Sequence, residues 1–375
     1  MPTGVNIPLK IESVTLYHVQ MRLKDPVTTS FGAIKKKDAI LVAACDHDGI
    51  VGWGETPVFA IPWYQEETID TAWHVLSDFL IPRVLQQPFV TVPGIVVLFA
   101  PVQRNYMAKA GLEGALWDLA AKRQGCSLAA LLGGKRRQVP VGVVVGLKTT
   151  ETELLHKIAA YQQAGYQKIK LKIKPGQDHS VIAAVRKVFP LLSLAVDANG
   201  AYKATDAFFD EVDQWQLTMI EQPLAPGDLL GHSNLQARLK TPLCLDESIA
   251  SFHDIELALA LKSCQIINIK LSRIGGLSAA KAAHDLCASQ RIPVWCGGMF
   301  ETGVGRAHNI ALASLDGFTL PGDLSASERY WDFDIIEPEV TVHQGEVVVP
   351  TEPGIGFGVS EEKLKKVTLA KAVYS

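Results

Sequence analysis

Residues 168–174 read Lys168-Ile169-Lys170-Leu171-Lys172-Ile173-Lys174, an alternation of charged and apolar side chains with a period of two. In an extended strand that period sends Ile169, Leu171 and Ile173 to one face and the lysines to the other. An edge strand with a solvated face would read the same way. The surrounding sequence argues against an edge. Apolar runs of strand length recur at 141–145, 193–196, 218–220, 243–245, 266–269 and 294–296, with a further region near Phe318. Amphipathic helical stretches separate them, which is the pattern of βα units around a parallel sheet with both faces covered. Eight strand slots in about 180 residues predict a barrel, compact beside the roughly 250 residues usual of a complete one.

Charged residues stand where these runs end. Lys172, Asp197, Glu221, Asp246 and Lys270 follow one another at separations of 25, 24, 25 and 24 residues, one βα unit per step. Residues so placed fall at the C-terminal ends of successive strands and face the mouth where barrel active sites are built. A single acid after a strand can simply cap the next helix, but three acids and two lysines in this order require a joint explanation. Asp197, Glu221 and Asp246 offer carboxylate oxygens without a His or Cys partner, a donor set suited to Mg²⁺ or Mn²⁺ rather than zinc. A cation would relieve their mutual repulsion and leave positions open for a substrate oxygen. Lys270 lies four strand steps from Lys172, nearly opposite on an eight-stranded circle. Two lysines across a bound carbon acid make a proton-transfer site, usable from one face or both. If Lys170 and Lys172 both point inward, repulsion and partial desolvation are expected to lower a lysine pKa toward that of a general base.

The rest of the chain bounds the reading. Residues 9–22 and 38–47 carry strand-like runs, Asp46-His47-Asp48-Gly49 reads as a hairpin turn, and 65–87 and 104–132 read as helices. An α+β domain is expected over 1–135, ending at Lys135-Arg136-Arg137-Gln138-Val139-Pro140, with the barrel over 136–323. Residues 324–375 return to strand-and-turn texture and are expected to pack back on the first domain. Net charge is −3 with no basic block, which argues against a nucleic-acid partner. No run of 18 apolar residues and no signal-peptide pattern occurs, so a cytoplasmic protein without a membrane partner is expected. The six cysteines are scattered without a C-x-x-C pair and read as reduced, packed thiols. G-x-S-x-G, H-E-x-x-H and Walker A patterns are absent from the sequence.

At the charged positions the chain resembles a known family. Lys170-Leu171-Lys172, Asp197-Ala198-Asn199, Glu221-Gln222-Pro223, Asp246-Glu247-Ser248 and Lys270 look like the muconate-lactonising subgroup of the enolase superfamily. Residues 169–176, 270–276, 294–303 and 320–323 are similar, more particularly, to the o-succinylbenzoate synthase / N-succinylamino acid racemase family. The similarity runs through nearly the whole chain, including Thr29-Ser30-Phe31-Gly32 and Gly52-Trp53-Gly54-Glu55.

The resemblance implies an α+β capping domain over a modified (β/α)7β TIM barrel, with Mg²⁺ on Asp197, Glu221 and Asp246. It implies that Lys172 abstracts the proton alpha to a carboxylate, that the metal stabilises the enediolate, and that Lys172 then assists departure of hydroxide. That reaction turns 2-succinyl-6-hydroxy-2,4-cyclohexadiene-1-carboxylate into o-succinylbenzoate, a step of menaquinone synthesis. Lys270 would deliver a proton from the opposite face and so racemise N-succinylamino acids. Lys170, Asn199, Gly298, Met299 and Glu301 would line the pocket for this small carboxylate substrate, and Arg273 matches an arginine of members with racemase ability. Two loops near 23–32 and 53–64, rich in aromatics (Phe31, Trp53, Phe59, Trp63, Tyr64), would form an apolar lid or simply pack the domain interface. Val144 departs from the family pattern, which commonly has a serine there. A homo-oligomer is expected. An N-acylamino acid racemase as the main role, a dipeptide epimerase, a Schiff-base aldolase using Lys172 or Lys270, and a barrel recruited only for binding remain the alternatives.

Overall fold

The computed structural model describes residues 6–29, 32–146 and 150–375. Seven parallel strands pair in chain order: Val143–Val145, Lys168–Lys172, Ser193–Asp197, Met219–Glu221, Leu243–Leu245, Ile266–Ile269 and Val294–Cys296. They are called here the first to the seventh barrel strands. The eighth slot, expected near Phe318, is filled just beyond it by residues 320–323. Leu320 N and Asp323 N donate to the carbonyls of Val294 (3.4 Å) and Cys296 (3.0 Å) on one side. On the other, Gly142 N donates to Gly322 O (2.8 Å) and Gly322 N to Pro140 O (3.2 Å). Pro321 in the middle has no N–H to give, so the closing segment cannot be a regular ladder. Phe318 itself is buried and stacks on His284 at 5.1 Å between ring centroids.

The outward faces of the strands pack on helices Glu151–Gln163, Asp178–Val188, Leu229–Arg238, Phe252–Leu261, Leu277–Ser289 and Gly303–Ala313. The inward faces of Ala195, Met219, Cys244, Ile266 and Trp295, with Leu320 against them, fill the barrel floor as a small apolar cluster of their own. The polar rim described below stands on this floor.

The N-terminal domain is a four-stranded antiparallel sheet in the order Thr368–Tyr374, Ile11–Thr29, Gly32–Asp46, Val51–Thr56, backed by helices. Its second turn forms where expected. Gly49 takes φ +80°, and Asp46 Oδ1 accepts from the amides of Asp48 (3.0 Å) and Ile50 (2.9 Å). The expected helix over 65–87 is Ile69–Val75, a π turn at Leu76–Leu80 and Ile81–Leu85. Pro82 lacks an amide donor, and the wider turn lies just before it. The helix expected over 104–132 is two, Tyr106–Arg123 and Leu128–Leu132. A further helix, Val92–Phe99, escaped the sequence reading because its run of apolar residues shows little polar period.

One expectation is corrected. The lid loop near 23–32 is, in its described part, the end of a long hairpin whose pairing shifts register between Arg22 and Val27 and resumes from Val27↔Ile34 to Thr29↔Gly32. Phe31 lies outside the described residues. Among the described residues, no helix is long and apolar enough to cross a membrane.

Candidate active site

The register brings the charged positions to one rim. Lys172 pairs with Asp197, and Asp197 with Glu221. Glu221 pairs with Cys244, two residues before Asp246, and Lys270 directly follows the sixth barrel strand. The strand Lys168–Lys172 has a neighbour on each side, so it is not an edge. Its lysines face the barrel interior, where Lys168 Nζ and Lys170 Nζ lie 4.2 and 4.5 Å from the centre of the Trp295 ring.

Each rim carboxylate is paired with a lysine. Lys170 Nζ donates to Glu221 Oε2 at 2.6 Å and to Asp323 Oδ2 at 2.8 Å, and lies 3.6 Å from Asp197 Oδ2. Lys172 Nζ donates to Asp197 Oδ2 and to Asn199 Oδ1, both at 2.7 Å. Across the mouth, Lys270 Nζ donates to Asp246 Oδ2 at 2.8 Å and to the Tyr64 hydroxyl at 2.9 Å. Arg273 Nη1 lies 2.7 Å from Asp246 Oδ1, and its Nε donates to Ile249 O at 2.8 Å.

The electrostatics follow from this pairing. Burial opposes ionisation of Asp246, but Arg273 and Lys270 outweigh it and hold the carboxyl well below the ordinary range. Burial, and then Asp197 beside it, push Glu221 up to about 8. A lowered lysine was expected of the pair Lys170 and Lys172, and Lys170 shifts the other way. Burial pulls it down, yet Asp323, Glu221 and Asp197 together hold its pKa well above that of an ordinary lysine. The depressed lysine of this strand is Lys168, pushed down to about 8 by burial and held on Pro321 O at 2.7 Å.

Among the described residues, no three Asp, Glu, His or Cys side chains stand ready as a metal cage. The ammonium groups of Lys170, Lys172 and Lys270 are bonded to the carboxylates a cation would draw together. The donor set itself fits a hard divalent ion, being carboxylate oxygen throughout. At Glu221, beyond the effect of burial, the charge of Asp197 outweighs the relief that Lys170 gives, and Asp323 Oδ1 and Asn268 Oδ1 are buried without a hydrogen-bond partner.

The remaining expected residues are placed as follows. Asn199 takes φ +45° and bridges Lys172 to Glu247, its Nδ2 donating to Glu247 Oε1 at 2.8 Å. Gly298 passes so close to the closing segment that an added Cβ would lie 2.8 Å from Asp323 O. Met299 is buried in the core, and Glu301 accepts from Asn309 Nδ2 at 2.9 Å, turned toward helix Gly303–Ala313. Val144 pairs in register with Lys170, so its side chain shares the lysine face. Of the lid aromatics, Phe59, Trp63 and Tyr64 pack on one another with centroids 5.0–6.1 Å apart. Only Tyr64 among these three has a hydrogen bond to the rim lysines or acids, through its hydroxyl.

Sequence reasoning named Tyr64 only as a lid aromatic and gave no role to Asp323, Asn268 or Glu247. Asn268 donates to Glu221 Oε1 at 3.1 Å from inside the sixth strand. Its place two residues before Lys270, on the same strand face, is the signal that could have found it.

Comparison with known proteins agrees with this geometry. Residues 11–133 match the mandelate racemase / muconate lactonizing enzyme N-terminal domain, and residues 153–363 the enolase C-terminal domain-like family. The chain is 52% identical over 367 residues to an o-succinylbenzoate synthase of Geobacillus stearothermophilus, covering 98% of each. It is 46% identical over 365 residues to an N-succinylamino acid racemase of an Amycolatopsis species, covering 97% of this chain and 99% of that one. A crystal structure of an enolase-superfamily member from Listeria innocua superposes with a TM-score of 0.94 at 42% identity, covering 97% and 99%. With its cap, its curled seven-stranded sheet and its rim of three acids flanked by lysines, the chain belongs to the enolase superfamily, and within it to the family of o-succinylbenzoate synthases and N-succinylamino acid racemases.

Proposed function

We propose that the protein dehydrates 2-succinyl-6-hydroxy-2,4-cyclohexadiene-1-carboxylate to o-succinylbenzoate, in the cytoplasm, as a step of menaquinone synthesis, and that it also racemises N-succinylamino acids. The observation that carries this is the pair of lysines, Lys172 and Lys270, each bonded to a different rim carboxylate at the ends of the second and sixth strands. Relatives bearing both names, at 52% and 46% identity, support the choice of substrates.

Asp197, Glu221 and Asp246 would hold the metal, Mg²⁺ or Mn²⁺, which when bound supplies positive charge to the substrate carboxylate. The amine of Lys172, in its neutral form, takes the proton alpha to that carboxylate. The electron pair released forms the ring double bond as the C–O bond to the hydroxyl breaks. Lys172, now an ammonium, returns its proton to the departing hydroxide, so water leaves and the ring is aromatic. In the racemase reaction Lys270 gives its proton to the opposite face of the same carbon. Lys170, Asn199 and Arg273 position these groups, and residues 298–301 form the neighbouring wall. A homo-oligomer is part of this reading.

Val144 favours racemisation as the main role, since a valine offers the synthase substrate no hydroxyl on the lysine face. Proton NMR in D₂O with Mg²⁺ tests both roles. One sample holds the cyclohexadiene carboxylate and another N-succinylphenylalanine, each beside Lys172→Ala. Aromatic product that disappears in the variant supports the synthase, and exchange of the second substrate alone supports the racemase. Inertness of both, unaffected by EDTA, would sink the metal-assisted proton-abstraction reading.

A further inference from the structure

Helix Leu277–Ser289 starts seven residues after Lys270, and its N-cap is Gly276, at φ +116°, which has no side chain to satisfy the first free amides. The acceptor comes from the other domain. Glu113, on helix Tyr106–Arg123, accepts at Oε1 from Ser278 N (3.2 Å) and from Trp117 Nε1 (3.4 Å), and is 2% exposed. The fit leaves no room. A Cβ on Gly276 would lie 1.7 Å from Glu113 Oε2, and one on Gly275 would lie 3.2 Å from the Tyr106 ring. The turn between Lys270 and the helix is itself tied, with Arg273 N donating to Lys270 O (3.0 Å) and Gly276 N to Leu271 O (2.8 Å).

A serine or aspartate at the N-cap would stabilise this helix locally. A cap reached from the neighbouring domain adds something different, because it fixes the helix start relative to that domain. It does so at a cost. Burial pushes Glu113 up to about 7, and its Oε2 has no partner. The same device recurs one βα unit on. Glu55 of strand Val51–Thr56 accepts from Thr302 N (3.0 Å), Thr302 Oγ1 (2.6 Å) and Gly305 N (2.8 Å) at the start of helix Gly303–Ala313.

We propose that Glu113 is a positioning residue for Lys270: by capping helix Leu277–Ser289 from the N-terminal domain, it sets the height of the turn 270–276 and the aim of Lys270 at the second face of the substrate. The inference rests on the two-lysine reading above. It does not involve Lys172, whose strand stands on the far side of the barrel.

The two faces can be read separately. Alpha-proton exchange of each N-succinylphenylalanine enantiomer in D₂O with Mg²⁺ reports one lysine each, assigned with Lys172→Ala and Lys270→Ala. Glu113→Ala is expected to slow exchange on the Lys270 face about tenfold or more and to leave the Lys172 face within about twofold. Glu113→Gln, which keeps an acceptor for Ser278 N, is expected to restore the Lys270 face. Equal slowing of both faces, or no rescue by glutamine, overturns the proposal. Amide hydrogen exchange of the same variants gives a readout independent of activity. Protection over 270–280 should fall in Glu113→Ala, return in Glu113→Gln, and stay constant over 168–172. Unchanged protection over 270–280 in Glu113→Ala overturns the proposal even if the wild-type protein exchanges neither enantiomer, a result that by itself would count against the proposed function.

Discussion

Lys170 Nζ lies 2.6 Å from Glu221 Oε2, with both side chains almost fully buried. The ammonium is held there by Asp323 and Asp197 as well, so it serves as the internal counter-charge of the acidic rim. Lys170→Ala would take the ammonium from Glu221 and Asp323 in a low-dielectric site and leave Asp197 with Lys172 alone. A loss of about 3–5 kcal/mol is expected in EDTA, with part of it restored by millimolar Mg²⁺ because a cation can take over the neutralisation. Thermal melts of wild type and variant with and without Mg²⁺ check this. A variant as stable as wild type in EDTA would contradict it.

Lys172 and Lys270 are expected to separate in their effects. Lys172→Ala should reduce dehydration by about 10²–10⁴-fold, the range of a lost general base. Lys270→Ala should abolish interconversion of N-succinylamino acid enantiomers while leaving alpha-proton exchange of one of them. Chiral chromatography beside NMR exchange distinguishes the two results.

Glu113 gives a pH signature. Its carboxyl rises from 4.5 to about 7 in the fold, chiefly by burial. Between those values the native state binds more protons than the unfolded chain, so this group's contribution to stability falls as pH rises through that window. The change amounts to about 3 kcal/mol at most. Glu113→Gln removes the titration, and its Tm is expected to gain on wild type from pH 5 to about pH 7 and to level off above that. A constant Tm difference over that range would refute the assignment.

Val144 shares the lysine face with Lys170. Val144→Ser places a hydroxyl there, worth about 1 kcal/mol if it bonds the substrate. The variant is expected to raise kcat/KM for dehydration about fivefold relative to N-succinylphenylalanine exchange. A ratio unchanged between the two substrates removes Val144 as a determinant of preference.

The rim was legible because each of its charges ends an apolar run, and strand periodicity then fixes the face. Lys172, Asp197, Glu221, Asp246 and Lys270 all came from that single rule. Tyr64 could not be found this way, since it reaches Lys270 from a non-repetitive stretch of the other domain. Glu113 and Glu55 were hidden for a related reason: nothing local in their sequence distinguishes a carboxylate that caps a distant helix from one on a solvated surface. The helix Val92–Phe99 was missed because its residues are apolar almost all round. Lys170 did not take the lowering expected of a lysine in this pair, because that expectation counted the neighbouring lysine and not the three acids brought in from elsewhere in the barrel.

The N-terminal sheet is completed by strand Thr368–Tyr374, where Val19 is paired with Thr368 across nearly the whole chain. Every barrel strand lies between the two partners in sequence. A growing polypeptide can therefore wind its barrel while the outer flank of Ile11–Thr29 still presents open amides and carbonyls. The cap's sheet is completed by a strand synthesised after every barrel strand, and until that strand arrives the flank is an open edge on which another chain can pair.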